Sequence, residues 1–144
     1  MNKDRLLLLA DFLEKLPPER VDYHRWVGAG WKGHQDLSCG TSACALGWAA
    51  TMPEFQALGL RIRSKKGFNA YVGLEGVEAP SFAAPYKAAK KIFDLKEGDA
   101  EYLFAPEDDD YAYSPVQVAR KIRWFVDSGG HHASDADLGI YYEE

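Results

Sequence analysis

Cysteine is scarce in this chain, with Cys39 and Cys44 as its two examples among 144 residues. Small secreted domains that rely on disulfides carry many more, so we expect a cytoplasmic protein whose thiols stay reduced. No run approaches the ~18 consecutive apolar residues of a membrane-spanning helix, so we expect no membrane segment. The apolar stretch at 6–9 is interrupted early by Asp11 and Glu14, which argues against a signal peptide.

Basic residues are also in the minority. The chain has 17 Lys and Arg against 22 Asp and Glu, which gives a net charge of −5. General nucleic-acid binding depends on clustered Lys and Arg, so we do not expect direct nucleic-acid binding. The length fits one domain, and the apolar fraction of 47% is sufficient for a buried core. We predict a single globular domain over 1–144, with a C-terminal tail from about residue 131 that could be mobile.

The apolar stretch 39–50, which reads CGTSACALGWAA, is the part around which we expect the chain to pack. Thr41 is a candidate helix N-cap, and Pro53 should end the helix because the residue before a proline avoids the α region. A helix with Ala, Leu, Trp and Gly on every side has no polar face, so it should be buried all round. We predict a buried central helix over about residues 41–52, in which Gly47 lets another backbone approach closely.

Periodic patterns on either side of this stretch indicate the other elements. Apolar residues recur at helical spacing within 3–16, 84–92, 98–104 and 115–126. Apolar and polar residues alternate at 60–63 and 68–72, on either side of a Gly-containing turn, and this pattern indicates a β-hairpin. Two strands alone are marginally stable in water, so the hairpin either pairs with segment 20–27, which shows the same alternation, or lies on helices. The predicted fold is α+β and mainly α, with four to five helices around the central helix and an antiparallel hairpin at about residues 60–72.

The last helix has clear end signals. The N-cap candidate is Ser114, and Pro115 suits the first turn of the helix. Gln117, at the third helical position (N3), completes the pattern of a capping box. The pair Gly129 and Gly130 should cap the other end, because glycine accepts a left-handed conformation.

Cys44 is the candidate nucleophile. If Thr41 caps the central helix, Cys44 takes its third position, where the helix dipole lowers a thiol pKa and favours the thiolate. Cysteine hydrolases combine such a thiol with a histidine, for which His34 and His24 are the candidates. The competing interpretation is that Cys44 is a small buried hydrophobe, which its apolar neighbours favour.

The alternative metal site consists of His34, Cys39 and Cys44, which are spaced by five residues. Structural zinc sites need four ligands and usually pair cysteines two to four residues apart. This set provides three ligands at wider spacing, with His24 as the candidate fourth, so we expect no metal and no other cofactor. The histidines and carboxylates of segment 131–137 are more typical of a solvated tail.

Acidic residues are concentrated in the C-terminal third. Segment 101–110 has five acids and no base, and the tail from 131 has four more acids, whereas 60–66 is basic. Separated patches of opposite sign orient a charged partner and speed its encounter. Tyrosines beside carboxylates suit contact with a basic protein, because Tyr is enriched at interfaces. The predicted contact residues are Asp108, Asp109, Asp110, Tyr111 and Tyr113.

A family resemblance adds context. Residues 39–49 read CGTSACALGWA and follow Tyr23-x-x-Trp26, a pattern that resembles small bacterial and phage proteins with a CGTxxCxxGWA signature. Those proteins also tend to show a later pair of short helices ending in Leu-Phe, similar to residues 88–104. The family has no assigned activity. What the resemblance implies is an accessory or mobile-element protein, often an inhibitor, an immunity protein or another binder.

Two functional hypotheses follow. The preferred one is a non-catalytic protein-binding or accessory protein, such as an inhibitor or immunity-type factor of a phage or mobile element. It would contact a basic protein partner through the acidic, Tyr-bearing surface. The alternative is a thiol-dependent hydrolase or transferase that uses Cys44 with a histidine.

Overall fold

The computed structural model describes residues 1–16, 45–63, 71–80, 83–104, 114–134 and 136–139. Within these ranges the elements are α1 (Lys3–Glu14), α2 (Ala45–Ala49), α3 (Pro53–Gln56), β1 (Leu60–Arg63), β2 (Tyr71–Leu74), α4 (Ala84–Phe93), α5 (Glu97–Phe104) and α6 (Pro115–Asp127). The fold is therefore mainly helical α+β with an antiparallel hairpin, which confirms the predicted class.

Helices α1 and α6 make the most extensive contact between described elements. Their facing stripes are apolar and fully or almost fully buried: Leu6, Leu9, Ala10 and Leu13 from α1, with Val118, Ala119, Ile122, Phe125 and Val126 from α6. At the edge of this contact the Arg123 guanidinium forms ion pairs with Asp11 and Glu14. Burial supplies most of the stabilisation here, because exposed ion pairs contribute little.

Helix α2 is buried on every side, as its composition predicts. It contacts α1 and β2, and the Trp48 ring lies 6.0 Å from the ring of Phe12 in α1. The described helix ends at Ala49, earlier than predicted, and Pro53 occupies the first turn of α3. Proline suits that position because a backbone N–H in the first turn has no hydrogen-bond partner within the helix, so its absence from proline costs nothing there. The predicted start of the helix at 41–44 lies outside the described residues.

The hairpin pairs β1 with β2 in antiparallel register, with Leu60 opposite Leu74 and Ile62 opposite Val72. All four of these side chains are buried, since the hairpin lies against α4. At Gly73 a β-carbon would lie 3.6 Å from the Ala84 β-carbon and 3.1 Å from the Arg63 δ-carbon. The missing side chain therefore lets α4 pack closely on the hairpin. The predicted turn at 64–67 and third strand at 20–27 lie outside the described residues.

Phe93 connects four helices at the centre of the core. Its ring packs edge-on against Phe55 of α3 and stacks on Phe104 of α5, with ring centres 5.3 Å apart in both pairs. Its carbonyl accepts a hydrogen bond of 2.7 Å from the backbone N–H of Asn2, the N-cap of α1. All three phenylalanines are at most 1% exposed. One residue thus fixes the relative positions of α1, α3, α4 and α5.

The helix ends follow the expected chemistry. In α6 the Ser114 N–H donates to Gln117 Oε1 at 2.8 Å, and the Gln117 N–H donates to Ser114 Oγ at 3.2 Å, which confirms the capping box. Gly129 and Gly130 follow this helix with φ of +77° and +101°, as expected of glycines at a helix end. Helix α4 ends at Phe93, and its C-cap Asp94 is a non-glycine residue at φ +52°, a conformation that Asp tolerates better than most residues.

No helix among these described segments is both long enough and apolar enough to cross a membrane.

We predict that Phe93→Ala lowers the free energy of unfolding by about 3–5 kcal/mol, because it leaves a cavity between three helices. The control is Leu8→Ala on α1, whose side chain is 37% exposed, and it should change stability by less than about 0.5 kcal/mol. Urea denaturation followed by tryptophan fluorescence measures both. A cost below about 1 kcal/mol for Phe93→Ala would contradict the central role of this ring.

Candidate functional site

The site residues predicted from the sequence lie outside the described part of the chain. They are His24, His34, Cys39, Cys44, Asp108, Asp109, Asp110, Tyr111 and Tyr113. The catalytic, metal and contact hypotheses for these residues therefore stay predictions. The described residues nevertheless contain a polar cluster that borders the acidic segment.

This cluster begins on α5. Asp99 and Tyr102 are three residues apart, so they lie on the same face of the helix. Ala100, Leu103 and Phe104 are buried and fix the orientation of α5 on the core. Asp99 is 22% exposed at its side chain, whereas Glu97 and Glu101 are exposed to solvent. Helix α5 therefore has an acidic solvent-exposed face and a buried face that attaches it to the core.

Tyr102 contacts the chain that follows α6 through its ring and its hydroxyl. The backbone N–H of Ala133 donates to the Tyr102 hydroxyl at 2.8 Å, and the hydroxyl donates to the Ala133 carbonyl at 3.2 Å. The His132 imidazole stacks on the phenol ring with centres 4.0 Å apart and planes inclined by 7°. His132 Nε2 lies 2.8 Å from Asp99 Oδ1. One tyrosine and one aspartate on α5 thus bind two successive residues of the C-terminal segment.

Lys121 of α6 lies on the other side of this arrangement. Its Nζ is 4.3 Å from the centre of the Tyr102 ring, and the residue is only 5% exposed. Because the imidazole covers one face of the ring at 4.0 Å, the ammonium takes the opposite face. A cation over an aromatic face is attracted by the ring quadrupole, more strongly when it is withdrawn from water. Tyr102 is therefore held between a buried cation and an imidazole.

The C-terminal segment has further attachments beyond the tyrosine. The His131 N–H donates to Ser128 Oγ at 3.1 Å, and Arg120 Nη1 donates to the Leu138 carbonyl at 2.8 Å. Leu138 is 2% exposed. We name residues 131–134 and 136–139 the C-terminal strap. The mobility of the tail stays a prediction. A mobile tail would have to break the contacts that the strap makes with α5 and α6.

A cavity of about 370 Å³ opens beside the cluster, and Asp99 is common to both. Its lining consists of Met1, Asp94, Leu95, Lys96, Asp99, Gly129 and Gly130. The amino group of Met1 lies 3.3 Å from Asp94 Oδ2, so one of the two carboxylates is paired within the cavity wall. The other is paired with His132.

The geometry favours anchoring over catalysis for His132. General-base catalysis needs a nucleophile within hydrogen-bond reach of the imidazole. Within the described part of the chain, the contacts of His132 are with Asp99, Tyr102 and Phe125. Among the described residues, no three His, Cys, Asp or Glu side chains are grouped so that they could hold a metal ion. Asp137 accepts from the Ser134 N–H at 2.9 Å and so closes a local turn.

The basic patch predicted at 60–66 is only partly described. Arg61 pairs with Glu75 at 3.2 Å and donates to the Gln56 carbonyl at 2.7 Å. Arg63 Nη1 donates to the Val77 carbonyl at 3.4 Å. Both arginines are engaged in holding the hairpin and its flanking turns, which reduces the charge they offer to a partner.

Sequence reasoning missed the Tyr102 cluster. The spacing of Asp99 and Tyr102 places them on one helix face, but nothing in the sequence connects that face with His132, 30 residues beyond Tyr102. The one usable signal is the pair Gly129-Gly130, which turns the chain back after α6.

Comparison with known proteins finds no matching family model, no matching curated protein and no matching solved structure. The CGTxxCxxGWA resemblance stays a prediction, and the candidate site is assigned from its own geometry.

We predict that burial of Leu138 holds the strap more strongly than the Asp99–His132 pair does. Leu138→Ala should lower the free energy of strap opening by about 2 kcal/mol, because it removes a buried side chain. Asp99→Asn should lower it by less than about 1 kcal/mol, because His132 is 46% exposed and water screens the pair. Amide hydrogen exchange at Ala133 measures both. A larger effect of Asp99→Asn would show that the ion pair dominates.

Proposed function

We propose that this chain is a non-catalytic protein-binding protein that contacts a basic partner through an acidic, Tyr-bearing surface. The proposed surface consists of residues 101–113 and the C-terminal tail, to which the exposed Glu97 of α5 is added. The observation that supports the proposal is the contact between Tyr102 and Ala133, because it holds the strap, which bears the exposed Asp137, on α5, which bears the exposed Glu97 and Glu101. We further propose, from the CGTxxCxxGWA resemblance alone, that such a binder would be an accessory, inhibitor or immunity-type protein of a phage or mobile element.

Charge supports this surface. Glu97 and Glu101 are exposed on α5, and Asp137 is exposed on the strap. The sequence adds Asp108, Asp109 and Asp110 beyond α5, and the tail ends in two further glutamates. Grouped carboxylates of this kind attract a basic protein, orient it during encounter and discriminate against acidic competitors.

The rigid attachment of α5 to the core also supports the proposed binding surface. Helix α5 is attached to the core through Leu103 and Phe104, which are 0% and 1% exposed. A contact surface on such a helix loses little conformational entropy when a partner binds. Tyr102, at the end of this helix, is held by the strap and by Lys121. Because this ring is covered by His132 and Lys121, it holds the strap in place, and the exposed acids of α5 are the groups that would contact a partner.

The competing hypothesis assigns catalysis to Cys44. A reactive cysteine needs exposure as well as a lowered pKa. Ala45 and Leu46, the two residues that follow it, are 1% and 0% exposed. That burial favours the interpretation of this segment as part of the core, and it is the reason that binding is preferred to thiol chemistry.

We predict that reversing Asp108, Asp109 and Asp110 to Lys lowers affinity for the partner at least tenfold, or about 1.4 kcal/mol. The partner is captured with the tagged chain from source cells, identified, purified and then measured by titration calorimetry. The control reverses three exposed acids elsewhere, Asp4, Glu54 and Glu78, with the same change in net charge.

The result expected of the control is an affinity within about threefold of the wild type, since its three acids do not belong to the proposed surface. Equal losses in both variants would mean that net charge alone governs binding. No loss in the Asp108–Asp110 variant would overturn the acidic surface.

We further predict that Cys44 reacts slowly with a thiol reagent in the folded protein. The test uses Cys39→Ser, which leaves Cys44 as the one cysteine of the chain. Modification should be at least about a hundredfold slower than in urea, because a buried thiol is inert. Rapid modification at neutral pH would favour the hydrolase or transferase hypothesis, and Cys44→Ser would then be assayed for loss of activity.

A further inference from the structure

We propose that Tyr102 is a positioning residue whose hydroxyl holds the C-terminal strap on α5, and that the exposed acids of these two elements, Glu97, Glu101 and Asp137, bind a basic partner at full strength only while the strap is docked. This inference rests on the proposed function. It assigns a separate role to one atom, the Tyr102 hydroxyl oxygen, which distinguishes it from the contribution of the surface charges.

The hydroxyl makes two hydrogen bonds to a single residue of the strap. It accepts from the Ala133 N–H at 2.8 Å and donates to the Ala133 carbonyl at 3.2 Å. Both backbone groups of Ala133 are thereby satisfied by one side chain, as they would be by a neighbouring strand. Phenylalanine has no atom that can replace either bond. Loss of the hydroxyl should therefore release Ala133 while the aromatic ring remains.

The remaining contacts of the strap do not involve this hydroxyl. His132 stacks on the Tyr102 ring and pairs with Asp99 at 2.8 Å. Leu138 is buried, and its carbonyl accepts from Arg120. Tyr102→Phe therefore removes the two hydrogen bonds to Ala133 and keeps the ring on which His132 stacks, the Asp99–His132 contact and the buried leucine. The docking equilibrium should fall by about tenfold to thirtyfold, as expected for two neutral hydrogen bonds.

Docking determines where Asp137 lies relative to α5 and α6. While the strap is docked, the chain that carries Asp137 returns to α5 and α6, which bear Asp99 and Arg120. An undocked strap lets the Asp137 carboxylate occupy a larger volume, and a partner must then order it at an entropic cost. The apparent dissociation constant rises in inverse proportion to the docked fraction. Tyr102 thus acts on binding through the population of the docked strap.

The first experiment measures docking without any partner. Amide exchange is compared at Ala133 and Gly139 of the strap and at Ile122 in the buried stripe of α6, in wild type and in Tyr102→Phe. Exchange at Ala133 should rise about tenfold or more, while Ile122 stays unchanged because the core is intact. The control is Tyr71→Phe on β2, which removes a hydroxyl from a half-buried tyrosine away from the strap. It should leave all three amides unchanged.

The second experiment measures binding of a fluorescent oligolysine peptide as a defined basic probe, at low and at physiological salt. Tyr102→Phe should weaken binding by the factor by which amide exchange shows the docked fraction to fall, and Tyr71→Phe should not weaken it. Asp137→Asn removes one strap charge but keeps an oxygen that can accept from the Ser134 N–H. Its effect on affinity should be larger in the wild type than in the Tyr102→Phe background, because only a docked strap contributes that charge fully.

The outcomes separate the two proposals. Unchanged exchange at Ala133 in Tyr102→Phe would overturn the positioning role of the hydroxyl. Faster exchange with unchanged peptide affinity would overturn the link between docking and binding, and the acidic surface would still stand. If the peptide bound neither the wild type nor any variant, both the link and the proposed function would fail for basic ligands. Faster exchange together with weaker, non-additive binding supports the inference.

Discussion

The packing of Phe93 against Phe55 and Phe104 is the contact on which the rest of the structure depends. These rings come from three short helices that are too small to be stable alone, since short isolated helices are marginal in water. Their common burial compensates for that weakness. The Phe93 carbonyl also accepts from Asn2, so the start of α1 is positioned by the end of α4. Because α1 in turn packs along α6, the arrangement of both long helices follows from this centre.

The candidate site is a consequence of that arrangement. Helix α5 is oriented by Phe104 on the core, which directs Asp99 and Tyr102 towards the end of α6. The glycines after α6 then turn the chain back over the same face, where His132 and Ala133 meet Tyr102. A surface built in this way combines a rigid helix with a segment held by a few polar contacts. Such a segment is the part of a protein whose docking can vary while the core stays intact.

Local chemistry allowed several elements to be predicted. The apolar stripe of α6, its capping box at Ser114 and Gln117, and the buried character of α2 all follow from neighbouring residues. The class and the hairpin were therefore predictable from periodicity. The helix boundaries were less predictable than the class. Helix α2 ends at Ala49, although the helical pattern continues towards Pro53. Pro53 favours the start of a helix as well as an end, and the sequence does not distinguish the two.

The sequence by itself determined what each segment can do: which faces are apolar, where helices are capped, and where acidic and basic residues are concentrated. Tertiary structure alone decided which of these segments meet. The stack of His132 on Tyr102, with Lys121 on the opposite face, joins residues from α5, α6 and the strap that share no local pattern. The physical reason is that burial of apolar area is non-directional, so the choice of neighbours depends on the packing of the whole core.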